Sequence, residues 1–287
     1  MSEAFEAHRG RLTGLAYRML GSLADAEDIV QDAWVKRQSA RDVANEEAFL
    51  VTIVTRLCLD RLKSARARRE IYVGPWLPEP VLDADALSPH AATELADDLS
   101  FALMLTLERL SPLERAAFLL HDVFDESFAD VAEALGRSEE ACRQLASRAR
   151  KAVKDARPAR EAAPEMHERL LAAFAQAAAN GDVSALKAML TEDAVALTDG
   201  GGIRTAALNP IRGADKVARF IIGLARKYAE RSGDFALRPT TINGSPGFLV
   251  FIEGALDQTL SIAVEGGRIA ALYGVRNPEK LALIRGS

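Results

Sequence analysis

Apolar residues recur at helical spacing through residues 1–70, a stretch that contains no proline. The first run comprises Leu12, Leu15, Ala16 and Met19, and the second comprises Ala26, Ile29, Val30, Ala33 and Trp34. Apolar positions three and four residues apart form one face of an amphipathic helix. The pattern therefore predicts an all-helical bundle over residues 1–70.

Proline and acidic residues interrupt the helical pattern over residues 71–93, which we interpret as a linker. The helix-breaking residues are Gly74, Pro75, Pro78, Pro80 and Pro89. Helical periodicity resumes at Leu95 and predicts a second all-helical domain over residues 94–157. Pro158 and Pro164 then mark another break.

The pattern changes character in the last part of the chain, residues 165–287. Two helices, at about 165–180 and 183–190, precede segments rich in β-branched residues and punctuated by glycine. The predicted strands are Phe235–Ile242, Gly247–Leu256, Thr259–Val264 and Arg268–Val275. The sequence therefore predicts a multidomain fold, with two all-α domains followed by an α+β domain.

Composition narrows the class of protein. About half of the 287 residues are apolar, yet no apolar run approaches the roughly 20 residues of a membrane span, and the N-terminus lacks the layout of a signal peptide. We therefore expect a cytoplasmic protein without a membrane partner. Cys58 and Cys142 have neither CxxC nor Cys/His spacing, so we expect two small core residues, no metal site and no cofactor.

Charge is distributed in blocks, although the net charge is -5. Residues 56–69 hold six basic residues and one acid, and residues 137–160 hold eight basic residues and three acids. Residues 79–98 between them hold six acids and no Lys or Arg. Phosphate binding requires basic side chains on the contacting face, so two separate basic surfaces remain compatible with nucleic acid.

A helix-turn-helix is predicted within the second basic block. Ser127 and Asp130 have capping-box spacing, Gly136 ends the helix, and Ser138 begins the next one. The second helix pairs an apolar stripe with a basic polar face, which suits the major groove of DNA. The alternative is an ordinary helical hairpin with a solvated basic face.

The order of several motifs resembles the extracytoplasmic-function (ECF) sigma factors. The motifs are LADAEDIVQDAWVK (23–36), AFLVTIVTRLCLDRLKSARARR (48–69) and the segment from LERLSPLERAAFLLHDVF to the helix-turn-helix (107–150). WLPEP (76–80), DGGGIR (199–204) and NPEKL (277–281) resemble signatures of the subgroup with a C-terminal SnoaL-like extension. The sequence departs from the subgroup at Ile203, where Lys is usual. Many ECF sigma factors outside the subgroup have Asn where Arg56 stands, so promoter preference cannot be transferred from them.

The resemblance implies a sigma factor that directs core RNA polymerase to promoters. Residues 1–70 would be sigma region 2, and residues 94–157 would be region 4. The implied polymerase-binding residues, facing the clamp of the largest subunit, are Asp25, Asp28, Gln31 and Asp32. The implied contacts to the -10 promoter element are Arg56, Arg61, Lys63 and Arg66, with the loop 39–47 receiving an unstacked base. The alternative for the acidic helix is a solvated face.

The second helix of the helix-turn-helix would read the -35 promoter element. The implied contact residues are Arg137, Ser138, Arg143, Gln144, Ser147, Arg148, Arg150 and Lys151. Arg143 and Gln144 would read bases, because they lie near the helix N-terminus, and the later basic residues would hold phosphates.

Residues 165–287 resemble the SnoaL-like cone and would regulate the sigma regions of the same chain without catalysis. The implied regulatory residues are Trp76, Leu77, Pro78, Asp199, Asn277, Pro278 and Lys280. Trp76 could instead anchor the linker on the nearer helical bundle. We expect Asn277-Pro278 to form a turn that presents Glu279 and Lys280 beyond the last strand. The glycines 200–202 are expected to form a flexible turn and not a phosphate loop.

A cyclase would need an acid/base pair inside the cone, usually His or Asp. Residues 165–287 contain one histidine, His167, which is expected on a helix surface. An unidentified small molecule is a candidate ligand of the cone. Two other functions stay open. One is a repressor or activator that uses only the helix-turn-helix, with residues 165–287 as its ligand sensor. The other is a SnoaL-class enzyme fused to a DNA-binding segment.

The helix-turn-helix assignment predicts different effects for two substitutions. Arg143→Ala should cost about 1 to 3 kcal/mol of binding free energy and relax one promoter position, because it removes a base contact. Lys151→Ala should weaken binding to all sequences evenly and flatten the salt dependence, because it removes a phosphate contact. A panel of promoter mutants assayed by DNA binding at several salt concentrations measures both. An unchanged base preference in Arg143→Ala would contradict the assignment.

Overall fold

The proline-free stretch forms three helices among the residues described by this computed structural model. They are α1 (Glu3–Leu20), α2 (Leu23–Ser39) and α3 (Glu46–Glu70). The structure describes residues 3–40, 43, 45–88, 95, 98–156, 164–231 and 235–285, with backbone alone for residues 3–4, 64–70, 164, 231 and 285. The Ser22 side chain caps α2 by accepting a hydrogen bond from the Asp25 amide at 3.1 Å. The prediction of a helical bundle is confirmed.

The second helical stretch contains α4 (Phe101–Glu108), α5 (Pro112–Phe118), α6 (Phe128–Leu135) and α7 (Glu139–Ala156). A π-helical turn, Leu119–Val123, extends α5. Serines cap several N-termini: Ser100 begins α4, Ser111 forms a capping box with Glu114, and Ser127 begins α6. These local signals are readable in the sequence, and the second all-α domain is also confirmed.

The residues predicted as one linker divide between two compact units. One unit, here the helical unit, contains residues 1–71 and 83–157, and it includes a short 3-10 helix, Asp85–Leu87. The other, here the C-terminal unit, contains residues 72–82 and 158–287. Residues 89–93 of the predicted linker lie outside the described residues.

The C-terminal unit is an α+β domain, as predicted. Helices α8 (Pro164–Ala179), α9 (Val183–Met189) and α10 (Ala214–Arg231) accompany a mixed sheet with the strand order β2-β1-β6-β5-β4-β3 in the described residues. The strands are β1 (Leu190–Asp199), β2 (Ile211–Arg212), β3 (Phe235–Ile242), β4 (Ser245–Ile252), β5 (Ala255–Glu265) and β6 (Arg268–Val275). β1 pairs with β6 in parallel, and the other pairs are antiparallel. A short helix α11 (Ala282–Arg285) follows.

Several elements of the C-terminal unit differ from the sequence-based expectations. Strands β1 and β2 and helices α10 and α11 were not predicted from the residue pattern. The predicted strand Gly247–Leu256 is two strands, because Glu253 and Gly254 adopt positive φ angles of 52° and 74° and turn the chain between β4 and β5. Leu256 therefore belongs to β5.

His167 is buried, which corrects its expected place on a helix surface. Its residue is 7% exposed, on the face of α8 that packs toward the sheet. Burial lowers the pKa of its imidazole, against a smaller opposing effect of a hydrogen bond with the Ile262 backbone. Its Nε2 atom has no hydrogen-bond partner among the described residues.

Both cysteines are buried and unpaired, as expected for core residues, and burial raises the pKa of each thiol. Among the described residues, no helix has the length and apolar character needed to span a membrane. No group of three or more His, Cys, Asp or Glu side chains in that part of the chain is arranged to hold a metal ion.

The buried imidazole predicts that the C-terminal unit loses stability in mild acid. The unfolded state protonates His167 near pH 6.5, and the folded state resists protonation because its pKa is lowered. The stabilisation is therefore present above about pH 6.5 and is lost as the pH falls, with a limiting slope of about 1.4 kcal/mol per pH unit for one proton. Urea unfolding followed by Trp76 fluorescence in a Trp34→Phe background measures this dependence. His167→Leu should flatten it, and an equally steep dependence in that variant would assign it to other groups.

Candidate functional site

Helix α7 presents a basic face to solvent. Cys142, Ala146, Ala149 and Val153 form its buried stripe. All the residues predicted to contact the -35 element are exposed, namely Arg137, Ser138, Arg143, Gln144, Ser147, Arg148, Arg150 and Lys151. The amphipathic pattern thus leaves the basic face of this helix available for a polyanion.

The turn between α6 and α7 fixes the start of this basic helix. Gly136 ends α6 in the left-handed conformation, with a φ of 61°, a geometry that glycine adopts without a steric cost. Ser138 then caps α7, since its hydroxyl accepts a hydrogen bond from the Ala141 amide at 3.2 Å. Both positions were identified from the sequence.

Three arginines of the basic face make ion pairs within the helical unit. Arg143 pairs with Glu139 at 2.5 Å, and its guanidinium lies 5.1 Å from the Phe128 ring centre. Arg148 pairs with Glu114 and Arg150 with Asp122. Exposed pairs of this kind contribute about 0 to 1 kcal/mol each, so exchanging a carboxylate for a phosphate is energetically feasible. The side chains of Gln144 and Lys151 have no polar partner among the described residues.

The predicted polymerase-binding and -10 residues lie on two neighbouring helices. Arg61 of α3 contacts Asp25 at 2.5 Å and Asp28 at 3.3 Å on α2. Hydrogen bonding to Asp25 raises the pKa of this guanidinium. Gln31 and Asp32 are exposed on α2, and Lys63 pairs with Asp60 at 2.8 Å. The side chain of Arg66 and residues 41, 42 and 44 of the predicted base-binding loop lie outside the described part of the chain.

Asp199 is fully buried in the C-terminal unit and binds groups from two distant parts of the sequence, one before it and one after it. The Tyr72 hydroxyl and the Leu77 amide donate hydrogen bonds to its carboxylate at 2.6 and 2.8 Å. The Lys280 ammonium lies 2.7 Å from the same carboxylate. Each of the WLPEP, DGGG and NPEKL motifs therefore contributes a residue to one site. Here the Asp199 cluster means Tyr72, Trp76, Leu77, Asp199, Asn277 and Lys280.

Lys280 points inward, although the sequence suggested that it would be presented beyond the last strand. Its side chain is 9% exposed, and its ammonium also donates to the Leu77 carbonyl. It lies 4.3 Å from the Trp76 ring centre and 5.0 Å from the Tyr72 ring centre. A buried ammonium requires such partners, since removing it from water is costly. Glu279 remains exposed, as expected.

Asn277 connects the last strand to the linker segment. Its side-chain amide donates to the Tyr72 hydroxyl at 2.9 Å, and its side-chain oxygen accepts from the Glu279 amide at 3.0 Å. The backbone amides of Arg276 and Asn277 both donate to the Asp199 carbonyl. Burial and the hydrogen bond to Asp199 raise the pKa of Tyr72, so this hydroxyl stays protonated and acts as a donor.

The linker segment, residues 72–82, has a second anchor at the turn between β3 and β4. The Val81 amide donates to the Asn243 side-chain oxygen at 3.0 Å, and the Asn243 amide donates to the Val81 carbonyl at 2.7 Å. Leu77, Pro78 and Pro80 are buried between these anchors, and Trp76 is half-buried. In the C-terminal unit Trp76 therefore packs on Lys280.

The glycines of the DGGG motif form a tight turn that admits Asn277. Gly201 has a φ of 61°, and a Cβ atom there would lie 2.3 Å from the Asn277 amide nitrogen. A Cβ atom on Gly200 would lie 2.0 Å from the Arg204 carbonyl oxygen. The expected flexible turn is therefore a sterically constrained one.

Comparisons with known proteins identify the family. Family models of sigma-70 region 2 and sigma-70 region 4 match residues 4–68 and 100–153. The ECF RNA polymerase sigma factor SigJ of Mycobacterium tuberculosis is 44% identical to this chain over an alignment of 288 positions. The alignment covers 96% of this chain and 91% of SigJ. This chain belongs to the ECF sigma factors.

The likeness to other ECF sigma factors extends along the whole chain. The crystal structure of the M. tuberculosis ECF sigma factor SigJ matches with a TM-score of 0.77 at 39% sequence identity and covers 97% of both chains. The probable ECF sigma factor SigI of M. tuberculosis is 33% identical over 99% of this chain and 96% of SigI. The chain is thus a promoter-directing factor for RNA polymerase, and the resemblance noted in its motifs is confirmed.

Within the helical unit of this ECF sigma factor, arginines join region 2 to region 4. Arg56 of α3 donates to the carbonyls of Glu133 and Ala134, at the C-terminal end of α6, at 2.7 and 3.1 Å. Arg11 of α1 donates to the Phe124 carbonyl at 2.8 Å and pairs with Glu126 at 2.8 Å. Cations at a helix C-terminus are favourable because they compensate the partial negative charge there.

A third arginine reaches from region 4 to region 2. Arg115 of α5 is 3% exposed and donates to the Met19 carbonyl at 2.6 Å while it pairs with Glu108 at 2.7 Å. Burial lowers the pKa of its guanidinium to about 10. Sequence analysis assigned Arg56 to DNA and no role to Arg11 or Arg115. Each of the three donates to a backbone carbonyl of the other region, and such an acceptor has no sequence signature.

Tyr72 and Asn243 were also missed. A tyrosine four residues before Trp76 was a usable signal, since aromatic residues in an otherwise acidic linker tend to pack on a protein surface. Asn243 followed by Gly244 is a turn signal, but its bond with Val81 depends on the tertiary fold.

The buried Asp199–Lys280 pair predicts a large effect of removing the cation. Lys280→Met should lower the free energy of unfolding of the C-terminal unit by about 3 to 5 kcal/mol, because it leaves a buried carboxylate without its counter-charge. Urea unfolding followed by Trp76 fluorescence in the Trp34→Phe background measures the change. Lys216→Met, at an exposed site on α10, is the matched control and should change stability by less than about 0.5 kcal/mol. Similar small effects of both substitutions would contradict a stabilising role for the pair.

Proposed function

We propose that this ECF sigma factor reads its promoter through α7 and α3, and that its C-terminal unit controls the reading through the Asp199 cluster. One observation carries the proposal. Residues 72–82, which lie between regions 2 and 4 in the sequence, are bonded to Asp199, Asn243 and Lys280 of the C-terminal unit. The state of this unit therefore bears on the segment that links the two DNA-binding regions.

The basic face of α7 is suited to the -35 element. Arg143 and Gln144 lie near the helix N-terminus, where a recognition helix meets base edges in the major groove. The exposed Arg148, Arg150 and Lys151 follow on the next turn, where they are available for phosphates. The remaining predicted -35 contacts are Arg137, Ser138 and Ser147.

Helices α2 and α3 supply the polymerase and -10 contacts in this proposal. The acidic residues Asp25, Asp28 and Asp32, together with Gln31, face the clamp of the largest polymerase subunit. Arg61, Lys63 and Arg66 hold the DNA backbone beside the -10 element. Since Arg61 bridges Asp25 and Asp28 in the free chain, polymerase and DNA would each compete for one side of this ion pair.

The packed helical unit is incompatible with simultaneous engagement of both promoter elements. Elements at -10 and -35 are roughly 25 base pairs apart by their numbering, or roughly 85 Å of B-form DNA at 3.4 Å per base pair. Arg56, assigned to the -10 element, is within hydrogen-bond distance of α6 in region 4. Regions 2 and 4 must therefore separate on the promoter, which releases Arg56 for DNA.

The linker is the basis of the proposed control in cis. When regions 2 and 4 separate, residues 72–82 between them must either stay bound to the C-terminal unit or be released from it. A segment tethered in the same chain binds at high effective concentration, and prolines 75, 78 and 80 reduce the entropy lost on docking. The predicted regulatory residues Trp76, Leu77, Pro78, Asp199, Asn277, Pro278 and Lys280 all belong to the docked segment or to the motifs that hold it.

We also propose that the chain is not an enzyme. Acid–base catalysis requires titratable side chains that face a common cavity. The apolar cavity of the C-terminal unit has no Asp, Glu or His among its described lining residues, and the buried His167 does not line it. Its titratable lining residues are Tyr228 and the exposed Arg226. This favours a regulator over the SnoaL-class enzyme.

The proposal predicts that disturbing the Asp199 cluster changes transcription while polymerase binding is retained. Chains ending at Pro164 or at Val275, and full-length Trp76→Ala and Tyr72→Phe, should each change promoter-dependent RNA synthesis by at least about threefold at matched protein concentration. Tyr72→Phe is the mildest change, since it removes one hydroxyl donor from Asp199. Run-off transcription with core polymerase measures the effect, and copurification with core enzyme measures binding.

Lys216→Met serves as the full-length control and should transcribe like the unsubstituted chain. Failure of the full-length chain to bind core polymerase or to start transcription at any promoter would reject the sigma-factor function. Equal transcription by all four altered chains would instead reject control in cis and leave the C-terminal unit as a passenger.

A further inference from the structure

The C-terminal unit contains an apolar cavity of about 490 Å³, partly open to solvent, between helices α8 and α10 and the sheet. Its walls include Phe174 of α8, Leu224 of α10 and Phe248 of β4. Natural ligand sites are mostly apolar clefts or cavities that span roughly 300 to 1,000 Å³. The volume and the apolar lining of this cavity match those of a small-molecule site.

Gln258 is the unusual residue of this cavity. It lies on β5 between Leu256 and Leu260. Alternate side chains of a strand point to the same face of the sheet, so Gln258 shares its face with these two leucines. The residue is 5% exposed, and its amide makes no hydrogen bond to any other described residue. The residue borders the cavity, and an apolar ligand there would take its amide out of water at an energetic cost unless the ligand supplied a hydrogen bond. The cavity therefore contains a polar group that a ligand could satisfy.

Neighbouring residues leave the Gln258 amide accessible. Gly274 of β6 has no side chain, and a Cβ atom there would lie 3.7 Å from the Gln258 side-chain oxygen and 3.5 Å from the Thr198 methyl group. Thr198 of β1 also lines the cavity, and its hydroxyl accepts a hydrogen bond from the Ala207 amide at 2.8 Å. A ligand that reaches this end meets Gln258, with Thr198 beside it.

The lining favours a neutral ligand. Arg226 is the charged residue that lines the cavity within the described part of the chain, and it is exposed at the rim. A smaller cavity of about 390 Å³ shares Gln258 and Thr198 and contains basic residues. Its Arg219 and Arg276 already pair with Asp215 and Asp257. Its third basic residue, Lys227, is exposed. Among the described residues, an anionic group inside would thus lack a buried cation that is not already paired.

We propose that this cavity binds a neutral, largely apolar small molecule whose carbonyl or hydroxyl group hydrogen-bonds to the Gln258 amide. The apolar walls supply affinity, since burying apolar surface is favourable and does not depend on precise orientation. The amide supplies selectivity, because it can both donate and accept. The inference concerns binding by the C-terminal unit and does not depend on control in cis.

Nile red, a neutral fluorescent dye with a carbonyl group, is the direct probe, used with the full-length protein. Its fluorescence should rise on binding and saturate at one dye per chain. Ala178→Trp, on the cavity side of α8, should weaken binding at least tenfold. Ala173→Trp, at an exposed position of the same helix, is the matched control and should change binding by less than twofold. No saturable binding, or equal weakening by both substitutions, overturns the site.

The role of Gln258 is tested by displacing Nile red with fluorenone and with fluorene, which have the same ring system and differ at the carbonyl group. Fluorenone should compete about three- to tenfold better, the range expected for one net hydrogen bond. Gln258→Leu, which retains most of the side-chain volume, should bring the ratio close to one. Unlike Ala178→Trp, this substitution does not fill the cavity, so it tests the site even if the tryptophan variant fails to fold.

The preference for a neutral ligand is tested by displacing Nile red with dodecan-1-ol and with dodecanoate, which have the same chain length and differ in charge. The alcohol should displace Nile red at a lower concentration than the carboxylate. A better competition by dodecanoate would overturn the neutral class and assign the basic cavity to an anionic head group. A fluorenone preference that persists unchanged in Gln258→Leu would overturn the recognition role of the amide.

Discussion

The arrangement of the C-terminal unit depends on the burial of one carboxylate, that of Asp199. A fully buried carboxylate is stable only when donors and a counter-charge surround it, and here they come from residues 72–77, from Gly201 and from Lys280. The requirement holds together segments that are more than 200 residues apart in sequence. The linker, the DGGG turn and the C-terminal NPEKL motif therefore form one interdependent structure and not three separate motifs.

The helical unit uses a different kind of contact. Its regions 2 and 4 are joined by Arg11, Arg56 and Arg115, each of which donates to a backbone carbonyl of the other region. Guanidinium groups remain charged and present several donors in a fixed plane, so they can exchange a carbonyl for a phosphate without a change of protonation. In the proposed mechanism, an interface of this composition holds the two regions together in the free chain and releases basic side chains when DNA binds.

The sequence predicted those features that local chemistry determines. Ser127, Gly136 and Ser138 defined α6 and α7, because caps and left-handed glycines act within a few residues. Strand β1 was missed because the register shift between Leu190 and Val195 interrupts the two-residue alternation, and the exposed Glu192 and Asp193 lie inside the strand. Helix α10 did carry a readable apolar periodicity, from Val217 to Tyr228. Three other features depend on contacts between distant segments, which no local pattern encodes. They are the burial of His167, the burial of the Lys280 side chain and the hydrogen bond from Val81 to Asn243.

The C-terminal unit is assembled from two separate stretches of chain, residues 72–82 and 158–287, and this has a consequence for inheritance and for protein engineering. A recombination event or a chimera with its boundary near residue 158 would transfer the sheet without residues 72–82. The transferred part would then lack the segment that hydrogen-bonds to Asp199 and Asn243. The part that must be exchanged as a whole is discontinuous in the gene. Changes in the short stretch and in the long one are therefore expected to accumulate together.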